Sequence, residues 1–353
     1  MRLAVKVIIQ IPCFNEAETL PLTLAELPRT LPGCVKVEWL VIDDGSSDGT
    51  SEVALRHGVD HVVRFPDNRG LAFAFEAGLD AGLKLGADII VNTDGDNQYC
   101  GADIEALIEP ILNGRADMVI GDRQVAQIAH FSWLKKRLQW LGSGVVRHMS
   151  GTNVPDATSG FRALSRDQAI SIQLTNQFTY TLETVIQAGA ARRAVRSVPV
   201  RTNEKLRDSR LFKGIGEYVA RSTGVIVRVY AMHRPLKVFT MVALPFFLTA
   251  LALGLRFLYH YLVEPAVSRH VQSLVVAGVL VVVGALCLFF GLMGELIAAN
   301  RRLQEETLTR VKRLELAQGI RPREPLIHAA LPRDEAEPSR DAVTGERPAR
   351  GDG

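Results

Sequence analysis

Short apolar runs alternate with amphipathic segments along residues 1–200. The runs VKVIIQIP (5–12), KVEWLVID (36–43) and ADIIVNTD (87–94) have the length and the β-branched content of buried strands. Between them, apolar positions recur at helical spacing, as in GLAFAFEAGLDAGLKLG (70–86). This alternation predicts an α/β domain whose mostly parallel, Rossmann-like sheet is covered by helices on both faces.

Two much longer apolar runs follow, at residues 236–263 and 271–300. Each exceeds the roughly 20 residues that a helix needs to cross a bilayer, so the pattern predicts a hairpin of two transmembrane helices. We expect the spans at about 236–260 and 272–298. Lysine and arginine flank the pair on both sides, so the positive-inside rule predicts that the N-terminal domain and both termini are cytoplasmic. A pair of buried core helices is the alternative.

The remaining segments are polar and differ in composition. Residues 201–235 carry many Lys and Arg side chains, with apolar residues at helical spacing. This pattern indicates a basic amphipathic segment at the membrane surface or, alternatively, a solvated charged helix. Residues 301–318 predict a charged cytoplasmic helix, for which a homo-oligomer contact is one role. Residues 319–353 are rich in proline and charge and predict a disordered tail.

Composition narrows the function classes. The 41 Lys and Arg nearly balance the 38 Asp and Glu, and the net charge of +3 is too small to predict a nucleic-acid partner. The cysteines show no paired spacing, so neither a zinc site nor a disulfide framework is expected. The first apolar run is too short for a signal peptide. Together with the two long apolar runs, this predicts a multi-pass protein of the inner, cytoplasmic membrane.

Acidic side chains follow the predicted strands at the edge where ligands bind in such sheets. Two of these strand ends read IDDGSSDGT and NTDGDNQ, and the second places Asp94 and Asp96 on either side of one glycine. Two carboxylates at this spacing can converge on one Mg²⁺ or Mn²⁺ ion, which prefers oxygen ligands and keeps positions open for phosphate oxygens. Taken alone, a DGD sequence more often forms a simple turn.

Six motifs follow one another along the chain: IPCFNEAETL, VIDDGSSDGT, NRGLAFAFEAG, TDGDNQ, GDR and DATSGFR. Together they resemble glycosyltransferase family 2, in particular its dolichol-phosphate mannose synthase and bacterial polyprenyl-phosphate glycosyltransferase branch, over residues 5–300. The resemblance implies a GT-A fold in residues 1–200, followed by the membrane hairpin. It also implies metal-dependent, inverting transfer of a sugar from a UDP- or GDP-linked donor to a polyprenyl or dolichyl phosphate at the cytoplasmic membrane face.

The same resemblance implies roles on the donor side. Pro12 and Glu16 would frame the nucleotide, with Glu16 near the ribose. Asp44 would accept a hydrogen bond from the base. Asp94 would lie near the nucleotide and share the metal with Asp96, which is the better candidate for a metal ligand.

Positive charge near the phosphates is implied for Arg123, which would neutralise the diphosphate or the acceptor phosphate; a surface ion pair is its alternative role. Leu71 stands where the family often has a basic residue, so Arg69 would substitute in contacting phosphate or would face solvent. Asp156 is a candidate base or orienting residue, with a structural turn role as the alternative. Glu183 is a second candidate base, with pairing to a nearby arginine as its alternative.

The acceptor lipid is implied to contact the TSGFR motif through Ser159 and Arg162. Lys205 and Arg210, in the basic segment, are further candidates for binding the lipid phosphate.

Three other functions remain as alternatives. A sugar nucleotidyltransferase would need a Gly-rich phosphate loop with Arg and Lys near residue 15, where CFNEAE supplies acids. A non-catalytic, membrane-tethered nucleotide-sugar-binding module would not need Asp44, Asp94, Asp96 and Arg123 together. A processive polysaccharide synthase would need more spans and a QxxRW-like motif, which LQWLG (138–142) does not supply.

Overall fold

The structure is a computed structural model. It describes residues 4–124, 144, 147, 151–174, 180–203, 224, 230–232, 234–263, 271–324 and 326–328.

The described residues form one sheet from the strands β1 (Val5–Cys13), β2 (Cys34–Asp43), β3 (His61–Arg64), β4 (Ile89–Asn92), β5 (Met118–Asp122), β6 (Arg162–Ser165), β7 (Val195–Pro199) and β8 (Leu326–His328). Their order across the sheet is β7-β5-β6-β4-β1-β2-β3-β8. Strands β4, β1, β2 and β3 pair with one another in parallel, and β7 pairs in parallel with β5. Only β6, between β4 and β5, and the edge strand β8 are antiparallel in the described sheet. The predicted mostly parallel sheet is therefore confirmed.

Helices cover both faces of this sheet. They are α1 (Leu20–Glu26), α2 (Thr50–Arg56), α3 (Leu71–Lys84), α4 (Ile104–Leu112), α5 (Arg166–Ser171) and α6 (Thr181–Ala190). Ile8 of β1 packs into a core with α3, α5 and α6, whereas its neighbours Val7 and Ile9 pack into a second core with α1, α2 and α4. Because both faces are buried, the central strands are largely apolar and not merely at alternate positions.

Two long helices follow, α7 (Pro235–Val263) and α8 (Val271–Ala317), and both are long and apolar enough to cross a membrane. They pack against each other through small residues of α8 at seven-residue intervals: Ala277, Gly284, Gly291 and Ala298. A Cβ at Gly284 would lie 2.9 Å from the ring of Phe247, so glycine there allows the aromatic side chain to pack on the helix backbone. Such small-residue contacts are typical of helix pairs in membranes.

The helix expected at 301–318 is not a separate element, because α8 continues without a break to Ala317. Pairs one turn apart, Arg301–Glu305 and Glu306–Arg310, support this polar extension. The extension lies against the α/β domain, where Arg313 pairs with Asp167 of α5 at 2.9 Å.

The first part of the tail that was predicted to be disordered contains a short strand in this structure. Leu326–His328 form β8, which pairs antiparallel with Val63, Val62 and His61 of β3. The edge of β3 offers main-chain groups that a returning segment can pair with, and this long-range contact outweighs a composition that favours disorder. Most of the predicted amphipathic segment, 201–235, lies outside the described residues, and so do Lys205 and Arg210.

Candidate active site

The loops after β1 and β2 are tied together at the carboxyl edge of the sheet. Asn15 has a left-handed φ of 53°, and its N–H donates to Ser46 Oγ at 2.8 Å. Its side-chain oxygen accepts from the Ser47 N–H at 2.9 Å. The N–H of Glu16 donates to Thr50 Oγ1 at 3.0 Å. These contacts fix the first rim loop against the loop that carries the paired acids.

The paired acids Asp43 and Asp44 are both buried and hold loops in place. Asp43 accepts from the Ser46 N–H at 2.8 Å and so orients the loop that follows β2. Asp44 accepts from the N–H groups of Arg69 and Gly70 at 2.7 and 2.9 Å. Both oxygens of Asp44 are thus bonded to backbone in this structure, and its contact with a nucleotide base stays a prediction.

The DGD turn follows β4 and lies beside Glu16. The carbonyl of Gly95 accepts from the hydroxyls of Thr19 and Thr23 of the α1 region at 3.0 and 3.1 Å. Desolvation and the neighbouring Asp96 raise the pKa of Asp94 to about 7. When a second carboxyl group opposes the ionisation of the first, a bound cation stabilises the ionised form of both. The Asp94–Asp96 pair therefore fits a divalent metal by its chemistry.

Such a metal would not be enclosed by protein. Within the residues that the structure describes, no group of three or more His, Cys, Asp or Glu side chains is arranged to hold an ion. Two carboxylates leave most coordination positions open, as expected for Mg²⁺ or Mn²⁺ that is shared with phosphate oxygens.

The TSG turn packs directly on the DGD turn. Asn92, the last residue of β4, donates to the Gly160 carbonyl and to the Tyr180 hydroxyl, both at 2.9 Å. The Gly160 N–H donates to the Tyr99 hydroxyl at 3.1 Å. A Cβ at Gly160 would lie 2.9 Å from both carboxylate oxygens of Asp94. Only glycine leaves room for this carboxylate.

Arg123 is held by Asp156 in a two-pronged ion pair. Its Nε and Nη2 donate to the two Asp156 oxygens at 2.7 and 3.0 Å, and Nη2 also donates to Thr158 Oγ1 at 2.9 Å. Desolvation raises the pKa of Asp156, but the charge and hydrogen bonds of Arg123 outweigh it, so the net pKa is lowered. A carboxylate with a lowered pKa and both oxygens occupied is a poor proton acceptor. Of the two roles left open for Asp156, the orienting role fits better.

The two residues of the TSGFR motif that were expected to contact the acceptor, Ser159 and Arg162, are both buried. Arg162 is fully buried on β6, where it donates to Thr184 Oγ1 at 2.6 Å and to the Ser159 carbonyl. Its guanidinium lies 5.2 Å from the centre of the Tyr180 ring. Ser159 is fully buried as well. The antiparallel insertion of β6 turns this arginine into the core, so neither side chain is exposed to a lipid phosphate in this structure.

The remaining predicted residues lie in defined places. Pro12 is near the end of β1, in register with Ile42 of β2. Arg69 pairs with Glu324 at 2.8 Å and lies over the Phe65 ring at 4.8 Å. Glu183 is buried in the first turn of α6 and accepts from Gln187 Nε2 at 3.3 Å. Its role as a base stays a prediction.

Sequence reasoning missed a buried polar network beneath the site. Gln10 donates to Asn92 Oδ1 at 2.8 Å, and the two residues are register partners on β1 and β4. Tyr180 joins the network through Asn92 and Tyr99 joins it through the Gly160 N–H, and burial raises the pKa of Tyr99 to about 12. The signal was a single polar residue inside each of two apolar strand runs, VIIQIP and DIIVN.

The chain is similar in sequence to proteins of one enzyme family. Residues 8–171 match the family model described as Glycosyl transferase family 2. The chain is 32% identical over 230 residues to an undecaprenyl-phosphate mannosyltransferase of Micrococcus luteus, covering 62% of this chain and 93% of that protein. It is 29% identical over 317 residues to the glycosyltransferase AglJ of Haloferax volcanii, covering 86% of this chain and 96% of that one.

Among solved structures, the fold is similar to glucosyl-3-phosphoglycerate synthase from Mycobacterium tuberculosis in complex with Mn²⁺, UDP and phosphoglyceric acid. The TM-score is 0.50 at 18% identity, and the match covers 64% of this chain and 78% of that one. This likeness supports the GT-A fold that the motifs implied. The chain belongs to glycosyl transferase family 2 and is a glycosyltransferase.

Proposed function

We propose that the chain transfers a sugar, with inversion, from a nucleotide-diphosphate sugar to a polyprenyl phosphate at the cytoplasmic face of a membrane. The observation that carries this proposal is the Asp94–Asp96 pair at the rim of the sheet, in a chain that goes on to two long apolar helices. The names of two relatives support the acceptor class: an undecaprenyl-phosphate mannosyltransferase, and a polyprenol monophosphomannose synthase of Mycolicibacterium smegmatis that is 31% identical over 177 residues.

Asp94 and Asp96 would hold Mg²⁺ or Mn²⁺, which supplies charge stabilisation to the departing diphosphate when it is bound. Glu16 lies next to this pair, since its Cγ would be 3.4 Å from a Cβ at Gly95. We assign Glu16 to the ribose hydroxyls of the donor. The donor would thus bind along the edge formed by the ends of β1, β2 and β4, which is where ligands bind in sheets of this kind.

Arg123 supplies the positive charge of the site. Its charge partly offsets the desolvation and the Asp96 charge that raise the pKa of Asp94, and Asp156 holds its planar fork in one direction. A preoriented guanidinium stabilises charge that develops on phosphate oxygens without having to reorganise during the reaction. We assign Arg123 to the diphosphate leaving group or to the acceptor phosphate, and Asp156 to orienting it.

A strong base is not required for this reaction. The phosphate of the acceptor is already largely ionised near neutral pH, because its second pKa is about 6. Its oxygen can attack the anomeric carbon directly from the face opposite the diphosphate. A single displacement of this kind inverts the anomeric centre and needs no covalent intermediate with the enzyme.

The test is a donor screen. Membranes containing the protein are supplied with undecaprenyl phosphate, a divalent cation, and radiolabelled UDP- or GDP-linked sugars in turn. We expect one donor to give a chloroform-extractable product with inverted configuration at the anomeric carbon. Asp96→Asn should abolish product formation. The control is Asp117→Asn, which should not: Asp117 lies just before β5 and pairs with Arg193 away from the rim. Retained synthesis by Asp96→Asn would refute the proposal.

A further inference from the structure

The chain returns to the catalytic domain after its last long helix. Beyond α8, residues 321–324 and β8 cross the α3 side of the domain; we call these residues the strap. The Arg323 N–H donates to Asp80 of α3 at 2.9 Å, and Leu326 packs against the core that contains α3. Strand β8 then pairs with β3 along three residues. The strap therefore makes main-chain, ionic and apolar contacts with the domain.

These contacts converge on a loop next to the candidate donor site. Glu324 pairs with Arg69 at 2.8 Å, and Ile327 of β8 lies in a cleft with Phe65, Pro66 and Ser46. The strap thus lies beside both ends of residues 66–70, which make up most of the loop that joins β3 to α3.

That loop in turn packs on the acid-bearing loop of residues 43–49. Asp44 accepts the N–H groups of Arg69 and Gly70. Gly45 has a left-handed φ of 72°, and a Cβ there would lie 2.5 Å from the backbone of Asp67. The two loops therefore meet backbone to backbone. A shift of loop 66–70 must be transmitted to loop 43–49, because no side chain lies between them at this point to absorb it.

We propose that the strap is a positioning element for nucleotide binding, which rests on the proposed function of the site. By holding loop 66–70, it fixes Asp44 and the rim loop in one arrangement before the donor arrives. It also determines where the guanidinium of Arg69 lies, since Glu324 holds it. Preordering of this kind improves the affinity for the nucleotide, because the loops do not have to lose conformational entropy when the nucleotide binds.

The strap also connects the site to the membrane helices. It follows α8 directly, and Lys84 of α3 contacts Glu315 in the last turns of that helix at 3.5 Å. Nucleotide affinity should therefore depend on whether the end of α8 is seated on the domain. A simpler role for the strap would be to cover the β3 edge and prevent association through it, with no effect on the site.

The experiment compares two truncations of the full chain in detergent or nanodiscs. One ends at Ile320 and lacks the strap, and the other ends at Ala330 and keeps it. The probes are UDP and GDP with Mn²⁺, measured by calorimetry, and hydrogen exchange of the amides of residues 43–49 and 61–70. In the chain ending at Ile320 we expect about tenfold weaker nucleotide binding and faster exchange in both ranges. The chain ending at Ala330 should behave as the full chain.

A point variant tests the ionic contact alone. Glu324→Gln should raise the donor KM about threefold while leaving kcat within twofold, because the strap acts on binding. Its matched control is Glu306→Gln, which removes an ion pair with Arg310 on the exposed part of α8 and should change neither constant.

Each outcome decides the proposal. Faster exchange in β3 with unchanged nucleotide affinity would overturn it in favour of edge protection. Unchanged exchange would show that the strap does not hold the loops and would overturn it as well. If the full chain binds neither nucleotide, the proposed function itself fails. The strap proposal alone is overturned if the full chain binds nucleotide normally and the chain ending at Ile320 binds it equally well.

Discussion

Replacement of Gly160 by alanine tests the packing of the TSG turn on the metal pair. Gly160 does not have a left-handed φ, so alanine can adopt its backbone conformation. Only the added methyl group of the alanine creates a conflict. Its Cβ would lie 2.9 Å from both oxygens of Asp94 and 3.0 Å from the Tyr180 hydroxyl, whereas ordinary contact begins at 3.4 Å. The added methyl group therefore forces a movement of about half an ångström in its neighbours.

The carboxylate of Asp94 is the neighbour expected to move, because Tyr180 is held by Asn92 and by stacking on Phe75 at 3.9 Å. A misplacement of about 1 Å in a reacting site can cost about 100-fold in rate. For half that distance we expect kcat/KM to fall about 10- to 100-fold, which corresponds to about 1.4–2.7 kcal/mol of transition-state stabilisation. Overpacking should also lower the free energy of unfolding by about 1–3 kcal/mol.

The assay is transfer of labelled sugar to polyprenyl phosphate, with Mn²⁺ affinity measured by electron paramagnetic resonance. Gly82→Ala is the matched control, since its Cβ would lie 3.0 Å from Ile90 Cδ1 in the core under α3. It introduces a similar close contact away from the rim and should keep both activity and Mn²⁺ affinity. A folded Gly160→Ala protein with kcat/KM and Mn²⁺ affinity within twofold of the unchanged chain would refute the reasoning.

Three further predictions concern charge. Because the pKa of Asp94 is raised to about 7, Mn²⁺ affinity should rise about tenfold per pH unit up to about pH 7 and level off above it; a pH-independent affinity would contradict this. Asp156→Asn should lower kcat about 100-fold by releasing Arg123 and should destabilise the fold by about 3–5 kcal/mol, and normal kinetics would contradict the orienting role. Glu38 is buried, which opposes its ionisation, but Lys36, Lys6 and His61 outweigh this and lower its pKa to about 2. Its stabilising contribution should be present above pH 4.5 and lost as the pH falls towards 2, so Glu38→Gln should flatten the acid unfolding curve in that range, as followed by circular dichroism.

The sheet and its acidic rim could be predicted from the sequence because their signals are local. A buried parallel strand is apolar along its whole length, and a D-x-D turn at its end is visible in a few residues. The direction of Arg162 could not be predicted in this way. It depends on β6 being antiparallel and in register with β4, where Arg162 lies opposite Asn92, and only long-range pairing determines that register.

The same reasoning explains the strap. Residues 319–353 have a disordered composition, and nothing near Leu326 in the sequence indicates the edge of β3, which lies more than two hundred residues earlier. The buried network of Gln10 and Asn92 falls between these cases. Each polar residue is visible in its strand, but their contact becomes evident only when β1 and β4 are adjacent.

The unbroken course of α8 has a mechanical consequence. Its 47 residues form a rod about 70 Å long. One half of this rod is apolar enough to cross a bilayer, and the other half rests on the enzyme. Transmembrane helices adjust their tilt to the thickness of the surrounding lipid, and a rigid rod of this length would convert about ten degrees of tilt into about 12 Å of travel at its far end. Lipid chain length would then shift the catalytic rim sideways over the headgroups, because the far end of a tilting rod moves mainly across its own axis.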